Sequence, residues 1–82
     1  MVYRIYTSRN LADTTKDPDD YIINELGYKH NLDDAKLVAN EYIKTQFFHK
    51  DTELSENKNG SISATDFCSY GVTIMIIPIV VD

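Results

Sequence analysis

The chain has little of several residue types on which specialised folds and sites depend. Its 82 residues include one cysteine, three glycines, two prolines and no tryptophan. The lone Cys68 cannot form an internal disulfide, which fits a reducing compartment. The N-terminus also lacks the basic, apolar and small-residue succession of a signal peptide, so we expect a cytoplasmic protein. No glycine-rich loop, P-loop or dinucleotide fingerprint occurs.

Groups for catalysis or metal binding are equally scarce. The histidines, His30 and His49, are far apart in sequence, and with one cysteine they do not form a recognisable zinc pattern. A catalytic site would need Cys68 as the nucleophile and one of the histidines as the base. A lone cysteine beside an apolar strand, however, is usually buried and inert. We therefore expect a protein that is not an enzyme and holds no cofactor or metal.

Basic residues are outnumbered, and the acidic excess is local. The chain has 13 acidic and 8 basic residues, a net charge of −5, with the excess between residues 13 and 34. This distribution disfavours direct nucleic-acid binding, because phosphate contacts need basic residues. The segment could bind a basic partner surface, or its acids could only favour helix N-termini. The acidic candidates for partner contact are Asp17, Asp19, Asp20, Asp33 and Asp34.

Charge is absent altogether from Phe67 to Val81. The run is shorter than the roughly 20 residues of a membrane-spanning helix, and we expect no membrane association. Its β-branched residues favour a strand, and its apolar residues occupy both alternating faces, which predicts cover on both sides. Pro78 lacks an amide hydrogen, so the strand should lie at an edge or bulge there. The predicted faces are Ile74, Ile76 and Val80 on one side, and Met75, Ile77 and Ile79 on the other.

Other elements follow from periodicity and turn residues. Val2 to Thr7 predicts a strand, and Leu32 to His49 predicts a helix. Asn59-Gly60 predicts a hairpin turn before a strand from Ser61 to Phe67, paired with a segment near Glu53 to Glu56. Tyr70 to Val81 is predicted as the last strand. The helix is capped by Asn31 and has an apolar stripe of Ala35, Val38, Ala39, Tyr42, Ile43 and Phe47.

The segment after Lys16 is ambiguous. Asp17 can cap a helix, Pro18 suits its first position, and Gly27 can end it, which predicts a helix from Pro18 to Leu26. Alternatively, Tyr21 begins a strand that runs to Tyr28.

These elements predict one α+β domain over residues 1–82. The expected architecture is a small antiparallel sheet of three to four strands with one or two helices packed on it, in the order β-α-α-β-β. We expect the two ends of the chain to be neighbours in the sheet.

Two further sets of residues suggest surface contacts. Six of the chain's nine aromatic residues are tyrosines, which suit interfaces because they join a large apolar ring to a polar tip. Tyr6 and Tyr28 are the tyrosines we expect at a partner contact. Leu37 and Phe48 lie opposite the helix stripe by helical spacing, where they either pack under another element or form a partner-binding patch.

The leading functional hypothesis is a small acidic module that binds another protein. One version is an inhibitor from a phage or mobile element that acts on a host nuclease or defence factor. The alternative is an obligate homo-oligomeric structural protein, such as a homodimer, that pairs through the C-terminal strand or a sheet face.

Overall fold

A computed structural model describes residues 1–10, 21–66 and 71–80 of the chain. Its strands form a five-stranded antiparallel sheet in the order β2-β1-β5-β4-β3, and one helix lies between β2 and β3 in sequence. The elements are β1 (Val2–Asn10), β2 (Tyr21–Lys29), α1 (Leu32–Gln46), β3 (Ser55–Glu56), β4 (Ile62–Asp66) and β5 (Val72–Ile79). The first and last strands are neighbours, as predicted, with Val2 opposite Ile79.

The element order corrects the predicted fold. The described residues run β-β-α-β-β-β instead of β-α-α-β-β, with five strands instead of three or four. The predicted helix from Pro18 to Leu26 is wrong, because residues 21–29 form β2, the strand alternative; residues 18–20 lie outside the described residues. Pairing with β1 satisfies the backbone of β2, and its tyrosines and β-branched residues favour a strand. Gly27, with φ of +126°, sits within the strand and ends no helix.

Helix α1 begins where the sequence predicts and ends earlier. The Asn31 side chain accepts a hydrogen bond from the Asp33 amide at 2.7 Å, which caps the first turn. The helix ends at Gln46, short of the predicted His49, because Phe47 is extended. The Phe48 amide then donates at 2.6 Å to the carboxylate of Asp66, which is buried at the end of β4. This bond replaces the next helical turn.

The core lies between α1 and one face of the sheet. Burial of its larger side chains contributes about 1.5–3 kcal/mol each before conformational entropy is subtracted. The predicted helix stripe supplies one side, with Val38 and Tyr42 at its margin. The buried apolar residues are Ile5, Ala35, Ala39, Ile43, Phe47, Ile62, Ala64, Ile74 and Ile76.

The predicted hairpin at Asn59-Gly60 joins β3 to β4. The Gly60 amide donates to the Asn57 carbonyl at 3.0 Å, and the Asn57 amide donates to the Ser61 carbonyl at 2.7 Å. Gly60 has φ of +86°, the conformation that such a turn requires at its last position. The segment near Glu53 to Glu56 does pair with β4, through Ser55 and Glu56.

Strand β5 is shorter than the predicted strand from Tyr70 to Val81, whose first and last residues lie outside the described residues. Pro78 is opposite Tyr3 of β1, and the pairing with β4 stops at Ile76. Pro78, which has no amide hydrogen to donate, therefore lies in the part of β5 that is not paired with β4. Val80 follows the strand and is exposed, so it does not join Ile74 and Ile76 in the buried core.

Candidate protein-binding face

The sheet has two faces, and α1 packs on only one of them. Ile5, Ile74 and Ile76 point towards the helix and are buried. Side chains alternate along a strand, so the residues between them point away from it. We call this second surface the open face. Its residues are Val2, Arg4, Tyr6, Ser8, Ile23, Glu25, Tyr28, Ser63, Thr65, Thr73, Met75, Ile77 and Ile79.

No element within the described ranges packs on the open face. The described elements are the five strands of the sheet and α1, which lies on the opposite side. Phe47 and Leu54, from the segment after the helix, also pack into the helix-side core. The sheet therefore has a two-layer arrangement, with its second face uncovered by the described part of the chain.

A β-bulge in β2 sets which of its side chains reach the open face. Tyr6 is opposite Glu25, whereas the preceding Ile5 is opposite Gly27, so Leu26 is the extra residue. The insertion shifts the alternation by one residue. As a result, Glu25 and Tyr28 share the open face although they are three positions apart, and Leu26 packs against the core.

Arg4 joins two strands across this face. Its Nε atom donates to the two carboxylate oxygens of Glu25 at 2.9 and 3.0 Å, and a terminal guanidinium nitrogen also bonds to Glu25. Hydrogen bonding to Glu25 raises the pKa of Arg4, and hydrogen bonding to Arg4 lowers the pKa of Glu25. The two charges of the open face therefore neutralise each other.

Tyr6 connects this pair to β5. The guanidinium carbon of Arg4 lies 4.3 Å from the centroid of the Tyr6 ring, a cation–π geometry. The Tyr6 hydroxyl is 3.3 Å from the sulfur of Met75. Two of the residue types that dominate binding energies at interfaces, arginine and tyrosine, are thus held in fixed positions on one surface.

The open face has an apolar end and a polar end. Val2, Ile77 and Ile79 lie towards one end of the paired strands β1 and β5, next to the half-buried Met75. Ser8, Thr73 and Thr65 form a row at the other end, where the two threonine hydroxyls lie 3.0 Å apart. Ser63 on β4 lies opposite Met75, and Ile23 and Tyr28 are exposed on the outer strand β2.

A groove beside α1 is a concave feature away from the open face. It encloses about 620 Å³ and is lined by Lys36, Asn40 and Lys44 on the helix and by Glu53 and Glu56 on the opposite wall. Charges of both signs line it, so it selects neither an anion nor a cation. Among the described residues, no group of three or more histidine, cysteine or acidic side chains is placed to hold a metal ion, and no helix has the length and apolar character needed to cross a membrane.

The structure divides the residues predicted to contact a partner. Tyr6 and Tyr28 lie on the open face, and Tyr28 is 57% exposed. Asp33 and Asp34 are exposed in the first turn of α1, in the other layer of the molecule. Asp17, Asp19 and Asp20 lie outside the described residues.

Leu37 and Phe48 do not form the expected common side of one helix. Leu37 is 67% exposed on α1. Phe48 is also exposed, but it follows the end of the helix, so helical spacing no longer relates the two residues. The two residues therefore do not form one patch, and Leu37 lies in the helix layer, away from the open face.

Sequence reasoning missed the Arg4–Glu25 pair. Alternation in the predicted strand from Val2 to Thr7 puts Arg4 and Tyr6 on one face, but the predicted helix from Pro18 to Leu26 contains Glu25. The one available signal was a basic and an acidic residue in two potential neighbouring strands.

Comparisons of the chain with models of protein families, with curated proteins and with solved structures found no match.

Proposed function

We propose that this chain is a protein-binding module whose binding surface is the open face. The observation that carries the proposal is a set of apolar side chains on a sheet face that no described element covers. Burial of such side chains by a partner contributes about 25 cal/mol per Å² of apolar surface removed from water, before the costs of association are subtracted.

The composition of the face supports protein binding more than binding of a small molecule. The face is a broad sheet surface, whereas small-molecule sites are concave. Arg4, Tyr6 and Tyr28 are of the types enriched where interface residues contribute most, and the Arg4–Glu25 pair already satisfies its own charges. A partner can cover the pair without supplying a counter-charge.

The proposal places the protein in the cytoplasm and gives it no catalytic role. The support is its single cysteine, which cannot form an internal disulfide and so suits a reducing compartment. The narrower version, an inhibitor of a host nuclease or defence factor, would add a basic partner surface that contacts Asp33 and Asp34. Because these acids lie in the helix layer, such a partner would have to reach that layer as well.

Site-specific photo-cross-linking tests the binding surface. A benzophenone amino acid is placed at Tyr28 on the open face or, as the matched control, at Leu37 on the helix, two positions with similar exposure of 57% and 67%. Cells that express each variant are irradiated, and the adducts are sized. We expect defined adducts from position 28 and none from position 37. Adducts from position 37 alone, or from neither position, would contradict the proposal.

A further inference from the structure

The partner of the open face can be inferred from its charge, its area and its distribution of apolar residues. We propose that the open face binds a second copy of this chain, with the two sheets packed face to face about a two-fold axis. This inference rests on the proposed function, because it names the partner of the same surface.

Charge is the first argument. The chain has a net charge of −5, so two copies repel each other across most of their surfaces. Among the described residues, the open face contains two charged side chains, Arg4 and Glu25, and they pair with each other. Asp33 and Asp34 lie in the helix layer, which faces outwards when the two open faces meet. Of the two faces of the described sheet, the open face is thus the one where two copies approach with less repulsion.

Area is the second argument. Strands lie about 4.8 Å apart and rise about 3.4 Å per residue, so β2, β1, β5 and β4 present roughly 500 Å² of flat sheet. The relief of the side chains increases the accessible area towards the roughly 600 Å² per partner at the lower end of specific interfaces. That is about one-tenth of the chain's accessible surface of 5765 Å².

The position of the apolar residues is the third argument. β5 is the central strand of the five, and it carries Met75, Ile77 and Ile79 on the open face. A two-fold axis near this strand brings these apolar residues of one copy against those of the other. Two sheets packed in this way lie about 10 Å apart, with interdigitating side chains. The pairing covers the face of the C-terminal strand that the sequence predicts to be covered.

Sedimentation velocity on the purified chain over a dilution series tests the proposal. The wild type is expected to have twice the 9.4 kDa mass of one chain at tens of micromolar and to dissociate on dilution. Ile77→Glu should be a monomer that keeps its circular dichroism spectrum, since Ile77 lies outside the helix-side core. Tyr28→Glu, at a more exposed position, repeats the test if Ile77→Glu does not fold. Leu37→Glu, the control on the helix, should stay dimeric.

Three results would overturn the dimer. One is a wild-type monomer at 100 µM, and another is a dimer that Leu37→Glu abolishes. The third is a folded Ile77→Glu variant that remains dimeric, which would indicate pairing through a surface other than the open face. If the wild type is monomeric but position 28 cross-links to a different protein, the dimer is wrong and the proposed function stands. If position 28 yields no adduct, both are wrong.

Discussion

Arg4 shows how one residue can make a sheet face neutral without making it apolar. Its guanidinium binds Glu25 on the neighbouring strand and lies over the ring of Tyr6 on its own strand. Both charges remain partly accessible, so the pair adds little to stability through its electrostatics. Its larger effect is on recognition, because it leaves no net charge for a partner to match.

Substitution of Arg4 should be visible in the titration of Glu25. In Arg4→Gln, the pKa of Glu25 should rise towards the ordinary glutamate value, because its main hydrogen-bond donor and nearest positive charge are lost. NMR of the Glu25 side-chain carboxyl carbon as a function of pH measures this change. Lys44→Gln, a change of the same charge at an exposed position on α1, should leave the pKa of Glu25 unaltered. A pKa that is the same in wild type and Arg4→Gln would contradict the observed pairing.

The sign of the pH effect on stability follows from the lowered pKa of Glu25. The stabilising contribution of the ionised carboxylate is fully present above the glutamate pKa of the unfolded chain. It is lost as the pH falls through the lower pKa of the folded state. Arg4→Gln should therefore reduce the acid dependence of unfolding in this window.

At the scale of the element, β2 is the part of the fold that the sequence did not predict unambiguously. The helix stripe of α1 and the hairpin at Asn59-Gly60 follow from local periodicity and turn residues. The segment from Tyr21 carries both helix and strand signals, and its pairing with β1 decides between them. That pairing is a long-range interaction, which the local sequence does not encode.

The candidate surface was predictable to a similar extent. Tyr6 and Tyr28 were identified by residue type, but their common face depends on the bulge at Leu26. Without the bulge, strict alternation would place Glu25 and Tyr28 on opposite faces. The early end of α1 separates Phe48 from Leu37, and beyond it the Phe48 amide bonds to Asp66, a long-range contact that the local sequence does not reveal.

The bulge in β2 should be sensitive to the backbone of Gly27. Its φ of +126° is strained for any residue with a Cβ, although no atom lies within 4 Å of the position that a Cβ would occupy. Gly27→Ala should therefore lower the free energy of unfolding by about 1–3 kcal/mol through backbone strain alone. Urea unfolding measures the change. Asn24→Ala, an exposed position in the same strand, should change it by less than about 0.5 kcal/mol. A Gly27→Ala variant that unfolds at the wild-type urea midpoint would show that alanine adopts this backbone conformation without strain.

At the scale of the whole molecule, the two layers have different characters. The helix layer carries exposed charges of both signs, including Asp33, Asp34 and Lys44, and closes the core. The open face carries one neutralised ion pair among apolar and hydroxyl side chains. This asymmetry is the basis for assigning protein binding to the sheet side of the molecule.

The most direct measurement of the central claim is an isotope-filtered NOE experiment on an equimolar mixture of ¹³C-labelled and unlabelled chains. It detects only contacts between different copies. We predict intermolecular NOEs from the methyl groups of Ile77, Ile79 and Met75, and none from Leu37 on the helix. Intermolecular NOEs that arise from Leu37, with none from the three β5 residues, would contradict the assignment of the open face as the binding surface.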